Sequence, residues 1–424
     1  MRRPRVVAFS VMAVFIATSC RSGHSEVSAN ATTIPPVDTT ISEPPPGDGC
    51  NFSSTPSKVG GWAALADVFV TAPVADATAV YAGANSASGP GGCVFALDGT
   101  TGQLKWQSQR PIMAGSLPLL AGKLVVAAVN EAPALAIVGL DAETGQRKWR
   151  ISVAGTTTTP PALVGDLVYV SGGSSLRAIQ AATGRARWKV DRQPLAVATG
   201  AAGTFVTFAQ DDTTTALDPR DGKQKWATPL GTRSAVVKAV TTSVVVLENS
   251  PNDLYGLDAA SGRQLWEMNM PGSDNSTLAV AGDELYLSAD DGKAYAMDAK
   301  TGRIKWSKTI GLTLGPAPMI VNAEVLFAST SPDSAIVAFD RTTGVERWRA
   351  PTSGGPITSE LLHVGDDVLV GTQRGVLCRF TIDGIRRTCN ELIGEAVGSI
   401  NRMLSAGGGR VYSRIGNQTI AASP

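Results

Sequence analysis

Side chains that could bind a metal or act as nucleophiles are few in this chain of 424 residues. Histidine occurs twice, at His24 and His363, which leaves almost no material for a multi-histidine metal site or a histidine proton relay. No two cysteines are adjacent, and none has the Cys-x-x-Cys spacing of a zinc or redox site. The cysteines are Cys20, Cys50, Cys93, Cys378 and Cys389. The residue types therefore predict no catalytic, metal-binding or cofactor-binding site.

Three pairs of adjacent aspartates are the remaining candidates for a metal site: Asp211-Asp212, Asp290-Asp291 and Asp366-Asp367. Two of these pairs adjoin glycine, in Asp291-Gly292 and Gly365-Asp366, which are dipeptides typical of turns. An aspartate in such a turn accepts hydrogen bonds from nearby backbone N–H groups. We interpret the pairs as turn caps and His363 as a strand residue.

Charge and composition narrow the class of protein. With 37 basic and 36 acidic residues the formal charge is +1, so no long-range field attracts nucleic acid, and we expect no nucleic-acid partner. Charged residues make up 17% of the chain, whereas 45 residues are Gly and 25 are Pro. This composition favours a β protein rich in turns.

The N-terminus has the layout of an export signal. Three arginines lie in the first five residues, an apolar run follows from Val6 to Ala17, and Cys20 comes soon after. The run is too short to span a bilayer. The small residues before Cys20 resemble a lipoprotein cleavage box, although Ala17 stands where that pattern usually has Leu. We predict a signal peptide over residues 1–20 and a lipid on Cys20; ordinary cleavage after Ser19 is the alternative.

Residues 21–49 are rich in Ser, Thr, Pro and acidic side chains and contain only isolated Val and Ile. Such a segment cannot bury enough apolar surface to fold, so we predict a disordered tether. If Cys20 carries a lipid, four cysteines remain, an even number that can form two bridges in an oxidising compartment. A bridge between Cys50 and Cys93 would join the end of the tether to the folded part, which we predict to be a single domain over residues 50–424.

One motif recurs seven times without gaps, with the consensus small-apolar-Asp-x-x-Thr-Gly-x-x-x-Trp. Successive tryptophans are 38 to 43 residues apart. They are Trp106, Trp149, Trp188, Trp226, Trp266, Trp306 and Trp348, and Trp62 is the one tryptophan outside the motif. A fixed period of this length indicates a repeat architecture rather than two or three unrelated domains.

Each period holds about four short β-branched runs separated by turn residues, which predicts an antiparallel meander of four strands. Such a unit is a propeller blade. In the sixth motif, which ends at Trp306, we expect Asp298 to cap the turn and Gly302 to supply a positive φ. The other motifs should behave in the same way. The tryptophan then falls on the outer strand, where its ring can pack against a neighbouring blade.

These segments resemble the tryptophan-docking repeats of the β-propellers that are similar to pyrroloquinoline-quinone (PQQ) dehydrogenases. The resemblance covers about residues 65–424. It implies an all-β propeller of eight four-stranded blades, although the length corresponds to about nine periods and nine blades are not excluded. We expect an N-terminal strand near residues 51–62 to complete the last blade. The family includes quinoprotein dehydrogenases and non-enzymatic relatives such as the barrel-assembly lipoprotein of the outer membrane, so the fold does not define the function.

The unit after Trp348 is shortened and has no tryptophan. If Asp383-Gly384 forms a two-residue hairpin turn, Cys378 lies directly opposite Cys389 across the two strands. Cα atoms paired in this way are close enough for a disulfide. A bridge here would replace the missing tryptophan.

Three functions remain open at this point. The first is a non-enzymatic, monomeric scaffold outside the cytoplasmic membrane, or on the periplasmic face of an outer membrane, which is anchored by the lipid on Cys20 and binds envelope proteins. The second is a binding protein for a small ligand or polysaccharide in the propeller channel. The third is a PQQ-dependent dehydrogenase, which is disfavoured because the adjacent cysteines of many members are missing and no calcium ligands can be assigned. We expect the first, with no enzyme activity and no cofactor.

Overall fold

The computed structural model describes most of the chain after residue 51. The described ranges are 52–56, 62–66, 69–85, 92–108, 117–131, 134–153, 161–172, 174–192, 194–200, 203–208, 213–230, 236–249, 253–270, 278–289, 291–311, 319–330, 333–385, 387–392, 400–407, 410–415 and 419–423. The regular structure in these ranges is β-strand throughout. Cys20, Cys50, the signal peptide and the tether predicted for residues 21–49 lie outside them.

The first described strands belong to two different sheets. Strand β1 (Phe52–Pro56) pairs with β2 (Trp62–Ala66), and both join strands from the C-terminus. Sheet 1 follows, with the strand order β3-β5-β6-β7 and with β4 also paired to β5. Its strands are β3 (Phe69–Val70), β4 (Val74–Ala75), β5 (Ala79–Asn85), β6 (Gly92–Asp98) and β7 (Leu104–Ser108).

Seven sheets have the four-stranded antiparallel form predicted for a blade. Sheet 2 contains β8 (Leu119–Ala121), β9 (Leu124–Glu131), β10 (Ala134–Asp141) and β11 (Arg147–Val153); sheet 3 contains β12 (Ala162–Val164), β13 (Leu167–Gly172), β14 (Ser175–Gln180) and β15 (Ala186–Val190). Sheet 4 contains β16 (Pro194–Gly200), β17 (Gly203–Phe208), β18 (Thr213–Leu217) and β19 (Gln224–Pro229); sheet 5 contains β20 (Val236–Val240), β21 (Val244–Asn249), β22 (Asp253–Asp258) and β23 (Gln264–Asn269).

The remaining four-stranded sheets continue the same order. Sheet 6 contains β24 (Leu278–Ala281), β25 (Glu284–Ala289), β26 (Lys293–Asp298) and β27 (Ile304–Thr309); sheet 7 contains β28 (Met319–Val321), β29 (Val325–Thr330), β30 (Ala335–Asp340) and β31 (Glu346–Pro351). Sheet 8 contains β32 (Leu362–Val364), β33 (Asp367–Gly371), β34 (Val376–Thr381) and β35 (Arg387–Glu391). In each sheet the strands pair in the order in which they follow one another along the chain.

Sheet 9 is assembled from both ends of the chain. It contains β36 (Ile400–Gly407), β37 (Arg410–Ile415) and β38 (Thr419–Ser423), followed outward by β2 and β1. Ala63 pairs with Ala421 and Leu65 with Thr419. An N-terminal strand thus completes the last C-terminal unit, as the sequence predicts, and without it β38 would be an open edge. The completing strand is β2, which begins where the predicted segment 51–62 ends, and β1, within that segment, lies outside β2.

The sheets form a closed ring. Innermost strands of neighbouring sheets contact one another at most junctions, including β32 with β36 and, across the ends of the chain, β36 with β4. Sheets 3 and 4 share a buried cluster that contains Tyr169 and Leu217, and sheets 7 and 8 share one that contains Phe327 and Val368. The hydrophobic core is therefore divided into layers between adjacent sheets.

The number of blades differs from the sequence-based expectation. The all-β, four-stranded form is confirmed, but eight such blades is wrong: the described residues form seven four-stranded blades and two sheets of five strands. The extra strands arise because the inner edge of sheet 1 is divided between β3 and β4, and because β1 is added outside β2. The repeat period in the sequence does not report either event.

Burial explains why the second and third strands of each blade are so apolar. Every residue of β13 is buried, including the polar Ser171. A strand packed between two neighbouring sheets is covered on both faces, so it reads as a continuous apolar run rather than an alternating one. The outer strands differ: in β27 Trp306 is the buried residue and its neighbours are exposed.

The outer strands of sheets 1 to 7 share a β-bulge just before the tryptophan. In sheet 1, Ala96 pairs with Trp106 and Leu97 with Leu104, so Lys105 is the extra residue. The extra residues are Lys105, Lys148, Arg187, Lys225, Leu265, Lys305 and Arg347. Bulges and charged side chains on an edge strand both oppose pairing with another chain. The basic residue before most of the tryptophans is the sequence signal of this protection.

Candidate interaction surface

Each motif forms the turn between the third and the outer strand of its sheet. In the first motif, Asp98 Oδ1 accepts hydrogen bonds from the backbone N–H groups of Thr100 and Thr101, at 2.9 and 2.8 Å. Gly102 has a φ of 70°, and its N–H donates to the Asp98 carbonyl at 2.9 Å. The glycines at this position of the other six motifs have φ between 69° and 74°: Gly145, Gly184, Gly222, Gly262, Gly302 and Gly344.

The seven motif tryptophans lie on outer strands, and each indole packs against the motif turn of the next sheet. Trp266 is 9% exposed and donates from Nε1 to the carbonyl of Ala299 at 2.7 Å. Its ring covers Gly302, where a Cβ would lie 2.7 Å from the indole Cδ2. The indoles of Trp106, Trp149, Trp188, Trp226, Trp306 and Trp348 donate to the carbonyls of Ala142, Ala181, Pro219, Ala259, Arg341 and Ile382 at 2.9 to 3.0 Å. Only glycine fits under these rings.

Trp62 makes the same contact, which the sequence did not reveal. It is 3% exposed, donates from Nε1 to the Gly99 carbonyl at 3.2 Å, and lies over Gly102. Tyr412, from the C-terminal end of the chain, donates its hydroxyl to the same carbonyl at 3.2 Å. The two rings are 6.0 Å apart between centroids. Trp62 therefore docks sheet 9 onto sheet 1 and closes the ring.

The junction between sheets 8 and 9 lacks a docked indole, and sheet 8 carries a disulfide between Cys378 and Cys389 instead. The two residues are direct partners in the ladder of β34 and β35, as the predicted register requires. The turn itself differs from the two-residue hairpin expected at Asp383-Gly384. Gly384 N–H donates to the Thr381 carbonyl at 2.8 Å, so Ile382 and Asp383 are the central residues. Gly384 lies beneath the ring of Trp348, as the motif glycines lie beneath the preceding tryptophans.

Replacing Cys378 and Cys389 together by serine should lower the free energy of unfolding by about 3 kcal/mol, since the bridge closes a loop with a sequence separation of 11. Urea denaturation followed by circular dichroism measures the loss. As a check, a thiol count on the denatured wild type should find neither cysteine reactive. Two reactive thiols from these positions would show that the bridge is absent.

Cys93 is buried on β6 and is also disulfide-bonded. Its predicted partner Cys50 and the lipid-bearing Cys20 lie outside the described residues. Their roles therefore stay predictions.

The motif turns share one end of the ring with the turns between the first and second strands. In sheet 6 the Ala299 N–H donates to the Asp283 carbonyl at 2.9 Å, and in sheet 5 the Ala259 N–H donates to the Ser243 carbonyl at 2.9 Å. We call this end, formed by the motif turns and the first turns of sheets 1 to 8, the docking-turn face. It presents backbone held by hydrogen bonds within each sheet and by indoles between sheets.

Asp283 links two sheets on the docking-turn face. Its Oδ1 accepts hydrogen bonds from the hydroxyls of Ser243 and Thr242 of sheet 5, at 2.9 and 3.1 Å. Lys300 of its own sheet lies 2.8 Å from Oδ2. The hydrogen bond from Lys300, together with those from the two hydroxyls, holds the pKa of Asp283 below its ordinary value of 3.8.

Glu284, the next residue, links sheet 6 to sheet 7. Arg341 of sheet 7 lies 3.2 Å from Oε2, and Lys305 and Tyr286 of sheet 6 bond the same carboxylate at 2.5 and 2.6 Å. Burial by itself would raise the pKa of Glu284, but the bonds from Lys305 and Tyr286 outweigh it and the pKa is lowered. Sheets 5, 6 and 7 are thus joined by charged contacts in addition to their indoles.

Asp283→Asn should lower the free energy of unfolding at pH 7 by less than about 1 kcal/mol, because the carboxylate is partly exposed. The folded-state pKa is lowered, so the contribution of this carboxylate is complete above pH 3.8 and disappears as the pH falls through the folded-state value. Denaturation at pH 7 and pH 2 should therefore show a smaller difference from wild type at pH 2 than at pH 7, with exposed Glu143→Gln as the neutral control. An equal difference at both pH values would contradict the charge network.

Two exposed apolar residues lie at equivalent positions of two consecutive sheets, 7 and 8, on the docking-turn face. Val345 follows the motif glycine of sheet 7, and Ile385 follows Gly384, the equivalent glycine of sheet 8; they are 59% and 81% exposed. Six other motifs have Gln, Lys or Arg at this position. Arg185, Arg263 and Arg303 occupy it in sheets 3, 5 and 6 and are exposed. At this position of the repeat, the face therefore carries arginines in sheets 3, 5 and 6 and apolar side chains in sheets 7 and 8.

The aspartate pairs and His363 do not form a metal site in the described part of the chain. Asp291 Oδ1 accepts a hydrogen bond from the Lys293 N–H at 3.0 Å and caps a turn, and Asp367 lies 3.7 Å from Arg379. His363 lies on β32 opposite Val368. No cluster of three or more His, Cys, Asp or Glu side chains that could hold a metal occurs in the described ranges. Asp211, Asp212 and Asp290 lie outside them.

The repeat, the docked indoles and the ring of sheets match a known family. The family described as "Outer membrane protein assembly factor BamB", a PQQ-like repeat family, matches residues 61–159, 90–250 and 210–422. The chain belongs to this family. The resemblance to PQQ-like propellers drawn from the motifs is thereby confirmed. A search of curated proteins finds no match.

Solved structures similar to this BamB-family chain include natural and designed proteins. BamB from Moraxella catarrhalis is 19% identical, over 84% of this chain and 97% of its own, with a TM-score of 0.46. The computationally designed Ika8 protein is 15% identical, over 84% of this chain and 96% of its own, with a TM-score of 0.53, which is a likeness of fold alone. Quinohemoprotein alcohol dehydrogenase from Comamonas testosteroni is 14% identical, over 74% of each chain, with a TM-score of 0.48.

In the described part of this family member, no helix is long and apolar enough to cross a membrane.

Proposed function

We propose that this chain is a non-enzymatic scaffold of the cell envelope, which is anchored by a lipid on Cys20 and binds envelope proteins through its propeller. The observation that carries the proposal is membership of a family named for an outer-membrane assembly factor, over residues 61–422. The docked indoles and the charged contacts between sheets 5, 6 and 7 support it, because a rigid surface loses little conformational entropy when a partner binds.

The docking-turn face is the surface we assign to the partner. Arg185, Arg263 and Arg303 occupy one position of the repeat in sheets 3, 5 and 6 and point to a partner with an acidic surface. Arginine is enriched in protein interfaces because its planar guanidinium donates several hydrogen bonds and packs well. We therefore expect an acidic envelope protein to bind this face.

Capture from detergent-solubilised membranes tests the scaffold. The wild-type full chain should retain a defined envelope protein, identified by mass spectrometry, and Arg185→Glu/Arg263→Glu/Arg303→Glu should lose it without a change in melting temperature. Lys308→Glu, an exposed charge near the other end of β27, is the matched control and should still capture the protein. Retention of the partner by the triple variant would exclude this face, and the absence of any specific partner would contradict the scaffold.

The lipid anchor has a separate test. Cys20→Ser should move the protein from the membrane fraction to the soluble envelope fraction, because the thiol that carries the lipid is lost. Cys20→Ser protein that remains in the membrane fraction would contradict the anchor without bearing on the scaffold. A rise in melting temperature on adding PQQ and calcium would instead favour the enzymatic relatives of the family.

A further inference from the structure

The outer edges of the sheets are not equivalent. Sheets 1 to 7 each carry a bulge in the outer strand, and in six of them the extra residue is Lys or Arg. Strand β2 of sheet 9 and β35 of sheet 8 pair with their inner neighbours in unbroken register. These two outer strands therefore lack the bulge that interrupts the other seven.

The unbulged edge of β2 is covered by an additional strand. Strand β1 pairs along it without interruption, from Phe52 opposite Ala66 to Pro56 opposite Trp62, and makes sheet 9 five-stranded. Strand β35 has the same regular geometry, and in the described residues no strand covers its outer side. The edge of sheet 8 is thus competent to accept a fifth strand from outside the chain.

The disulfide identifies the backbone groups that face outward. The Cα atoms of Cys378 and Cys389 are 4.1 Å apart, which fits a pair without mutual hydrogen bonds, since a hydrogen-bonded antiparallel pair is about 5.5 Å apart. The N–H and C=O of Cys389 therefore point away from β34. Backbone direction alternates along a strand, so those of Arg387 and Glu391 also point outward.

The charges of β35 are complementary to those of a second, antiparallel copy of the strand, because Arg387 and Glu391 lie at equal distances from Cys389. We propose that β35 pairs antiparallel with β35 of a second copy, about a two-fold axis at Cys389. This register places Arg387 opposite Glu391 of the other copy, and it does so twice because of the symmetry. Both side chains are exposed, and within the described ranges neither forms an ion pair. The three outward-facing residues supply about six backbone hydrogen bonds, counting two for each hydrogen-bonded pair.

The surface area buried in this contact is small, so the dimer should be weak. A five-residue strand buries less than the roughly 1,000 Å² typical of a stable interface, so we expect a weak dimer that dissociates on dilution. Ile385 precedes the strand by two residues, is 81% exposed and lies at the rim of the contact. This dimer departs from the monomer expected from the sequence and is independent of the proposed scaffold function.

Sedimentation equilibrium of the full chain in detergent, over a range of protein concentrations, tests the dimer. Wild type should show a monomer–dimer equilibrium. Arg387→Glu, which places two acidic residues opposite each other at both ends, should raise the dissociation constant at least about tenfold. The double variant Arg387→Glu/Glu391→Arg restores opposite charges and should return the dissociation constant to the wild-type value.

Arg187→Glu, on the bulged outer strand β15, is the matched control and should leave the equilibrium unchanged. A wild-type chain that stays monomeric at every concentration would overturn the proposal. So would a dimer that Arg387→Glu does not weaken, or one that the double charge exchange does not restore, because the interface would then lie elsewhere.

Discussion

Trp266→Ala is expected to lower the free energy of unfolding by about 3–5 kcal/mol. The ring is 9% exposed and packs between sheets 5 and 6, so its removal leaves a cavity between the sheets and exposes the apolar surface that it covered. The substitution also deprives the Ala299 carbonyl of the indole N–H, which donates to it at 2.7 Å. Chemical denaturation followed by far-ultraviolet circular dichroism measures the loss independently of tryptophan fluorescence.

Ile304→Ala is the matched control, because Ile304 lies on the outer strand of sheet 6 but is 38% exposed. Its loss should cost less than about 1 kcal/mol. If Trp266→Ala cost no more than Ile304→Ala, the indole would not hold the two sheets together.

Gly302→Val is expected to be of similar severity, with a loss of at least about 3 kcal/mol. The φ of Gly302 is 69°, a conformation that costs a residue with a Cβ about 1–2 kcal/mol. The Cβ would also lie 2.7 Å from Cδ2 of Trp266, so the indole must leave its place. The same denaturation measurement applies.

Gly282→Val separates the two causes. Gly282 lies in the same sheet with a φ of 65°, and a Cβ built there meets no atom within 4 Å. Its substitution therefore costs the backbone strain alone. The excess cost of Gly302→Val is due to contact with the indole, and it should vanish when Trp266 is already Ala. An excess that persists in the Trp266→Ala background would assign the effect to something other than docking.

The sequence predicts the blade well because each residue type of the motif has the same structural role in every repeat. Asp98 caps the turn, Gly102 adopts the positive φ, and Trp106 docks on the next sheet. The register of Cys378 with Cys389 is also predicted correctly, although the turn itself is not, because the connection between the paired residues Phe380 and Arg387 is still centred between Asp383 and Gly384.

The sequence fails where two distant segments meet. Trp62 lacks the preceding Asp and Gly of the motif because β2 is added to strands from the C-terminus and does not follow a third strand of its own blade. Its docking role is therefore invisible in the pattern. The expectation of eight four-stranded blades came from the family resemblance and is wrong, because the described residues form seven four-stranded sheets and two five-stranded ones.

The contacts around the outer strands and between the sheets were only partly predictable from the sequence. The bulge at Lys105 and its equivalents could have been recognised from the basic residue before the tryptophan, which is the one available signal. The ion pair between Glu284 and Arg341 could not, because the two residues are far apart in the sequence and meet only when sheets 6 and 7 pack together.

The two ends of the chain close the ring, and a double-mutant cycle between Trp62 and Tyr412 measures whether they meet. The two rings lie 6.0 Å apart, although 350 residues separate them in the sequence. Trp62→Ala and Tyr412→Ala should show a coupling free energy of about 0.5–1.5 kcal/mol. The cycle of Trp62→Ala with Tyr286→Ala in sheet 6 should show none beyond about 0.5 kcal/mol. If the Trp62 and Tyr412 substitutions were additive like the control pair, the ends of the chain would not meet and the closed ring would be wrong.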